Sequence, residues 1–307
     1  MEFGLGLCFA YHRDMGEGLL GRLFGTSEWK KPKKSVGEFL DAVTAIREYW
    51  KPNDDEELWF RGERKYRDTR LCPQLYRPPE RQPLKPVSDL VKIEWKLYDD
   101  FRRCGAQLSN GDPDEWDWYF LMQHHGGPTR ILDWTDGALI GLHFALRNND
   151  LAPKDDAVVY VLQPYLLSEH LKSLSDYDAL EVKWKQYCHD NPAEDFANDE
   201  WDYVYLPIDD ELREQFPLPR VPLLYDTAHV TRRFGAQRSR FMLLGSNPLW
   251  VQKMAGKTDW VKVITIDSES IPKIRGELRQ AGVTESVIFP DLDGLGRELL
   301  KLWEERR

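Results

Sequence analysis

The sequence predicts an α+β fold: one principal domain with a central mixed or antiparallel sheet packed by helices, and an acidic insertion. Three observations carry that expectation. Helical stretches and β-type runs are interspersed, but too irregularly for the repeated strand–helix–strand units of a doubly wound sheet. A chain of 307 residues with 41% hydrophobic and 12% aromatic content can bury a large core, and it lacks the polar balance of disorder. Prolines and acids interrupt both periodicities over residues 163–220, which marks that segment as an irregular insertion at the domain edge, between a core at 35–162 and a C-terminal part at 221–307.

Each element has its own signal. Residues 1–34 read as a loosely attached leader ending in KKPKK. Ser35 and Glu38 have capping-box spacing, and Phe39, Val43, Ile46 and Trp50 recur on one helical face. LWFRG (58–62) is a short strand closed by glycine. A second helix begins at Ser88, with Leu90, Ile93, Leu97, Phe101 and Cys104 as its buried stripe. A third has Asp112 as cap, Pro113 at its first position, and Trp116 and Phe120 facing inward. It runs to Gln123 and His124, where Gly126 and Gly127 supply a left-handed stop and Pro128 prevents continuation. TRILDW (129–134) reads as a strand, DGALIGLHFALRNN as a buried helix and AVVYVL (157–162) as a buried strand. RSRFMLL and WVKVITI give two more strands, and the Leu292, Leu295, Leu299, Leu302 spacing gives a last helix over 291–305.

Composition removes several function classes. Cys8, Cys72, Cys104 and Cys188 are widely spaced, which suits reduced thiols and gives neither a disulfide framework nor a zinc site. A net charge of −10 argues against a general nucleic-acid coat. No apolar run approaches the roughly 20 residues of a membrane span, and the apolar opening has no positive flank of a signal peptide, so a cytoplasmic protein without a membrane partner is expected. Walker A, GxGxxG, HExxH and GxSxG motifs do not occur.

What remains is a set of polar candidates. Residues 61–81 carry Arg61, Arg64, Lys65, Arg67, Arg70, Arg77 and Arg81, a local cationic stretch in an acidic chain that suits an anionic ligand. Arg61 ends an otherwise apolar strand, so it either pairs internally, for instance with Asp133, or forks a phosphate or carboxylate. The glycine after it permits close approach of a ligand or another chain segment. His124 and His125 are helix caps or acid–base groups, and only one of them can share the face of Phe120. His143 reads as a satisfied core histidine. Arg130 and Asp133 point to opposite strand faces. Gln237, within RRFGAQRSRFML beside Arg232 and Arg233, can hold an amide or a ribose hydroxyl.

WFRG followed by a basic segment and LCPQLYR, then QHHGGPTRILDWTDGALIGLHFAL, RRFGAQRSRF and ESVIFPDLDGL, together resemble the FRG-domain family over roughly residues 36–300. Ser239 stands where that family prefers glycine, which bears on backbone approach at that loop. The resemblance implies an association with mobile or phage-defence genes. It also implies a fold similar to a divergent ADP-ribosyltransferase, with NAD as co-substrate and a protein or nucleic-acid acceptor. On that resemblance Arg61, His124, Arg130, Asp133 and Gln237 are the catalytic set. Arg64, His125, Thr129 and Arg233 are the ligand-binding set, with no metal. Arg61 and Arg130 would hold the pyrophosphate and the 124–129 turn the nicotinamide, while Asp133 or Glu63 supplies the charge that Gln237 lacks. A non-catalytic module binding a nucleotide or an RNA end through its arginines, and a purely structural partner protein, stand as alternatives.

Overall fold

A computed structural model of the chain describes residues 29, 31–64, 71–77, 85–109, 113–147, 157–174, 176–191, 200–226, 232–255 and 258–305. In chain order these form α1 (Val36–Trp50), β1 (Trp59–Arg64), α2 (Val87–Gly105), α3 (Glu115–His124), β2 (Ile131–Thr135), α4 (Ala138–Leu146) and β3 (Ala157–Leu162). They continue as α5 (Pro164–Lys172), α6 (Asp176–Asp190), α7 (Asp210–Gln215), β4 (Leu223–Tyr225), α8 (Arg232–Gln237), β5 (Ser239–Leu243) and α9 (Trp250–Ala255). The chain closes with β6 (Val261–Ile266), α10 (Ile271–Gln280), α11 (Glu285–Ile288) and α12 (Leu292–Glu305).

The expected α+β architecture is present as one open six-stranded sheet in the order β4-β5-β2-β1-β3-β6, with every named pair antiparallel. Helices cover both faces. Trp59, Trp134, Tyr160 and Met242 pack on one side against Leu75, Tyr76, Leu167 and Val251. On the other side Phe60, Val159 and Ile264 meet α1, α4 and α10 through Phe39, Leu142 and Ile274. A third, aromatic cluster joins Ile131 and Phe241 to α2, α3 and α6 through Tyr98, Phe120 and Trp184.

Local signals explain several elements. Ser35 Oγ accepts from the Glu38 amide at 3.1 Å, so α1 is capped as expected. Gly126 ends α3 at φ +85, a conformation that disfavours any residue with a Cβ. The cap of α3 is Asp114 rather than Asp112, which lies outside the described residues: Asp114 and Asp117 exchange bonds with each other's amides, and Pro113 precedes the cap.

Three expectations are corrected. The buried face of α2 runs through Leu90, Val91, Glu94 and Tyr98, rotated from the predicted stripe, and Leu97 and Cys104 are exposed. The rotation follows from Glu94, a buried carboxylate that hydrophobic periodicity counts as surface. The described residues of 163–220 are not irregular but largely helical, and they bury Trp184, Tyr205 and Phe216 in the aromatic cluster. The leader is anchored where it is described: Lys33 pairs in parallel with Ile266 and Trp29 is buried. β4, α9 and α10 carried no recognised sequence signal.

Candidate functional site

The site begins with a break in the sheet. β1 pairs with β3 along its whole length, from Trp59 opposite Leu162 to Arg64 opposite Ala157. Its ladder with β2, by contrast, is recorded at one pair, Phe60 opposite Thr135. Beyond that pair the strands diverge, and backbone groups that would have met each other need other partners. The Arg61 side chain bridges the gap: Nη1 donates to the Asp133 carbonyl at 2.6 Å, and Nε donates to Glu63 Oε1 at 2.6 Å. Among the described residues its second terminal nitrogen, Nη2, has no hydrogen-bond partner. Glu63 is buried and also accepts from the Leu71 amide at 3.3 Å, which fixes the carboxylate behind the guanidinium.

A cavity of about 300 Å³ opens beside Arg61. It brings together four residues singled out from sequence: Arg61, His124, Asp133 and Gln237. His124 comes from the last turn of α3. Asp133 comes from β2 with its side chain accessible, and its Oδ2 accepts from Gln123 Nε2 at 2.8 Å. Gln123 Oε1 in turn accepts from Thr129 Oγ1, so Thr129 is buried behind the wall and orients Gln123. Asp133 is the carboxylate of this cavity; Glu63 belongs to Arg61.

Gln237 is fixed from two directions. Its carbonyl accepts from Thr135 Oγ1 at 2.7 Å, and its amide Nε2 donates to the Ile288 carbonyl at 3.3 Å. The next residue, Arg238, has φ 48 and pairs with Asp136, which also binds Arg240 at 2.7 Å. The left-handed residue of this turn is therefore Arg238, while Ser239 is extended in β5, opposite Thr135. Burial raises the Asp136 carboxyl above its ordinary value against the pull of Arg240, while Glu57, bonded to both Asp136 and Arg240, is held below its own.

Other expected site residues do not reach the cavity. Arg130 is fully buried: Nε pairs with Glu94 Oε2, and its terminal nitrogens donate to the Tyr205 carbonyl at 2.6 Å and the Leu244 carbonyl at 3.3 Å. Burial works against this charge, but Glu94 outweighs it and keeps the guanidinium protonated. Arg130 is thus a core cation with no surface left for a pyrophosphate. His125 is exposed, with its ring beside His124 at 4.9 Å and Phe101 at 6.4 Å. The side chains of Arg64 and Arg233 lie outside the described residues, as do Lys65, Arg67, Arg70 and Arg81.

The cavity also contains residues that sequence reasoning missed: Gln123, Phe144, Arg147, Ser239 and Phe289. Arg147 leaves the end of α4 and stacks over the Phe289 ring at 4.0 Å, and Phe144 meets the same ring edge-on at 6.0 Å. Arg147 also bonds Glu285 Oε1 at 2.9 Å. Phe289 lies in the ESVIFPDLDGL ending, and Gln123, Phe144 and Ser239 in the other motif stretches, but nothing local in those stretches places them on one wall. Gly62 serves the fold rather than a ligand. A Cβ there would lie 2.2 Å from the Ala145 nitrogen and the Gly141 oxygen, so glycine lets α4 sit directly on β1.

A helix-covered antiparallel sheet with a polar cleft at a divergence of two central strands defines the class of this protein. Within it, residues 56–154 match the family model described as FRG domain, and the chain therefore carries an FRG domain. No curated protein and no solved structure matches the chain significantly. The matched span holds β1, α3, β2 and α4, and hence Arg61, His124 and Asp133; Gln237 and Phe289 come from outside it. Among the described residues no group of His, Cys, Asp or Glu is arranged to hold a metal, and no helix is long and apolar enough to cross a membrane.

Proposed function

We propose that the cleft binds the nicotinamide–ribose end of NAD and cleaves its glycosidic bond, passing the ADP-ribosyl group to water, protein or nucleic acid. The observation that carries this reading is the accessible Asp133 carboxylate, held by Gln123 within the same cavity as Arg61, His124 and two phenylalanines. At about 300 Å³ the cavity is at the small end of ligand sites, roughly 300–1,000 Å³, which suits one half of a dinucleotide. The C–N bond breaks with its electron pair leaving on nicotinamide, and an acceptor oxygen or nitrogen bonds to the ribose carbon. Positive charge develops on the ribose, and a fixed carboxylate stabilises it where the neutral Gln237 amide does not. Arg61 offers Nη2 to a phosphate oxygen, Phe144 and Phe289 offer apolar surface to the ring, and His124 takes the proton the acceptor gives up.

Chromatographic detection of nicotinamide released from NAD tests this. Release by the full chain, lowered on the order of 10²-fold in Asp133→Asn with NAD affinity retained, is the expected result. Absence of both release and NAD binding overturns it. One observation favours a second reading, a nucleotide-binding module without turnover. Gln237 is an amide already engaged with the Ile288 carbonyl, in a position where the transferase resemblance asks for a charge. Tight nucleotide binding that Asp133→Asn leaves untouched, with no release, would favour the module.

A further inference from the structure

The helix α12 is packed with its polar side toward the protein and its apolar side away from it. Arg297 Nε binds Glu285 Oε1 at 2.8 Å, Lys301 lies 3.7 Å from Glu285 Oε2, and Glu298 accepts from the Ser286 amide at 2.8 Å. The opposite side carries Leu292, Leu295, Gly296, Leu299, Leu300 and Trp303, and the five large residues are exposed, from 44% at Leu295 to 86% at Leu292. At about 100° per residue these six fall within roughly 140° of the helix surface, with no charged residue among them. The apolar stripe that marks this segment as a helix therefore faces outward.

Two observations say what belongs on it. The first is Gly296. A Cβ at the neighbouring Gly294 would lie 2.0 Å from the Phe289 carbonyl oxygen, so the fold itself requires that glycine, whereas a Cβ at Gly296 would meet nothing within 4 Å. Glycine inside a helix is destabilising relative to alanine, and the chain's own packing gives no return for it here. It leaves room for a side chain arriving from outside. The second is the register of the stripe. Set two α12 helices antiparallel about a two-fold axis between positions 297 and 298. Leu292 then faces the partner's Trp303, Leu295 faces the partner's Leu300, and Leu299 sits over the partner's Gly296. Every residue of the stripe is used by another of the stripe, which is the reciprocity a two-fold contact demands. Steps of three and four residues are those of closely packed antiparallel helices.

The area also fits. Those exposures amount to roughly 500 Å² of apolar surface, near the top of the 300–600 Å² that a monomer leaves in one patch. Two copies would bury about 1,000 Å² through it, and a polar rim brings the contact to the roughly 1,200 Å² of the smaller stable interfaces. A lipid surface suits the face less, because Arg297 and Lys301 are held by Glu285, and Asp293 and Glu304 flank the stripe in a chain of net charge −10. We propose that the outward face of α12 is a self-association surface, through which two copies of this chain pair antiparallel with Leu299 against Gly296. The inference stands on this helix alone and does not depend on the cleft's reaction.

Sedimentation velocity of the full chain over a hundredfold range of concentration tests this. A mass rising from one chain to two is expected, and added salt should strengthen the pair, since its core is apolar and its rim acidic. Leu299→Glu should weaken association at least tenfold. Gly296→Leu should do the same, because its side chain has open space in the single chain and none in the pair. Adding Leu299→Ala to Gly296→Leu exchanges knob and hole and should recover most of the loss. Circular dichroism on each variant confirms the fold. The proposal is overturned if the wild type stays a single chain at every concentration, or if Leu299→Glu leaves the dimer unchanged. It is equally overturned if Gly296→Leu leaves the pair as tight as before. Flotation of a single-chain wild type with phosphatidylserine-containing vesicles, lost in Leu299→Glu, would make the face a membrane contact and would also reject it.

Discussion

Arg61 and Arg130 are each paired with a glutamate, each close to β2, and yet opposite in what they can do. Around Arg130 every direction is closed: Glu94, the Tyr205 and Leu244 carbonyls and Tyr119, whose hydroxyl also bonds Glu94, complete the site within the core. Around Arg61 the strands part, Glu63 satisfies one side of the guanidinium, and a cavity takes the other. Ion pairing by itself therefore does not decide whether an arginine is scaffold or site. What decides it is whether the remaining donors face protein or open space.

The comparison can be broken experimentally. Arg130→Ala should have the largest effect, a loss of about 3–5 kcal/mol measured by urea denaturation, because it strands Glu94 without its counter-charge. A loss under about 1 kcal/mol would mean that the closed site is not structural. Gly62→Ala comes next, at roughly 1–3 kcal/mol or more, since the new methyl meets backbone atoms of α4 that cannot turn aside. Arg61→Lys keeps a charge for Glu63 but loses the bond to the Asp133 carbonyl, an expected cost of about 1–2 kcal/mol with a rise in KM or Kd for the nucleotide. If stability falls as far as in Arg130→Ala, with nucleotide binding unaffected, the two arginines are alike after all.

The pH response sharpens the contrast in the closed region. Asp202 lies in the same short 3-10 turn, Trp201–Tyr205, that offers a carbonyl to Arg130, and burial followed by nearby Glu200 raises its carboxyl to about 6. The folded state thus favours protonated Asp202. Its stabilising contribution is present below about pH 4, the unfolded value, and is lost as pH rises through about 6. The effect is on the order of 1 kcal/mol once solvent screening of this partly exposed group is allowed for, and Asp202→Asn should flatten it in melts taken from pH 4 to 7. Asp133→Asn has the smallest expected effect on stability, within about 0.5 kcal/mol, despite its large expected effect on nicotinamide release. That separation is itself the signature of an open site.

Much of the fold was legible because its signals are local. Ser35 capping α1, Gly126 ending α3 and the apolar runs of β3 and β6 all act within a few residues, and the structure contains each of them. Part of the cleft was legible too: Arg61 after an apolar run, His124 at a helix end, Asp133 within a strand and Gln237 just before one were chosen as polar groups in or next to buried elements. Glu94 was not legible, because a buried acid looks like a surface residue until its arginine is found 36 positions away. Nor was the helical character of the described part of 163–220, where Pro164 sits at a first helical position and Pro207, Pro217 and Pro219 fall between named elements, where they are tolerated.

The sequence by itself determined those helices and strands whose capping, periodicity and turn chemistry are written in neighbouring residues, such as α1, β1, α3, β3 and β6, but not β4, α9, α10 or the helices of 163–220. Only the tertiary structure decided which of two similar arginines is buried and which lines a cleft, and that Phe289 and Arg147 share a wall with Asp133. The reason is physical. Burial and pairing depend on contacts between residues far apart in the chain, and no local pattern carries that distance.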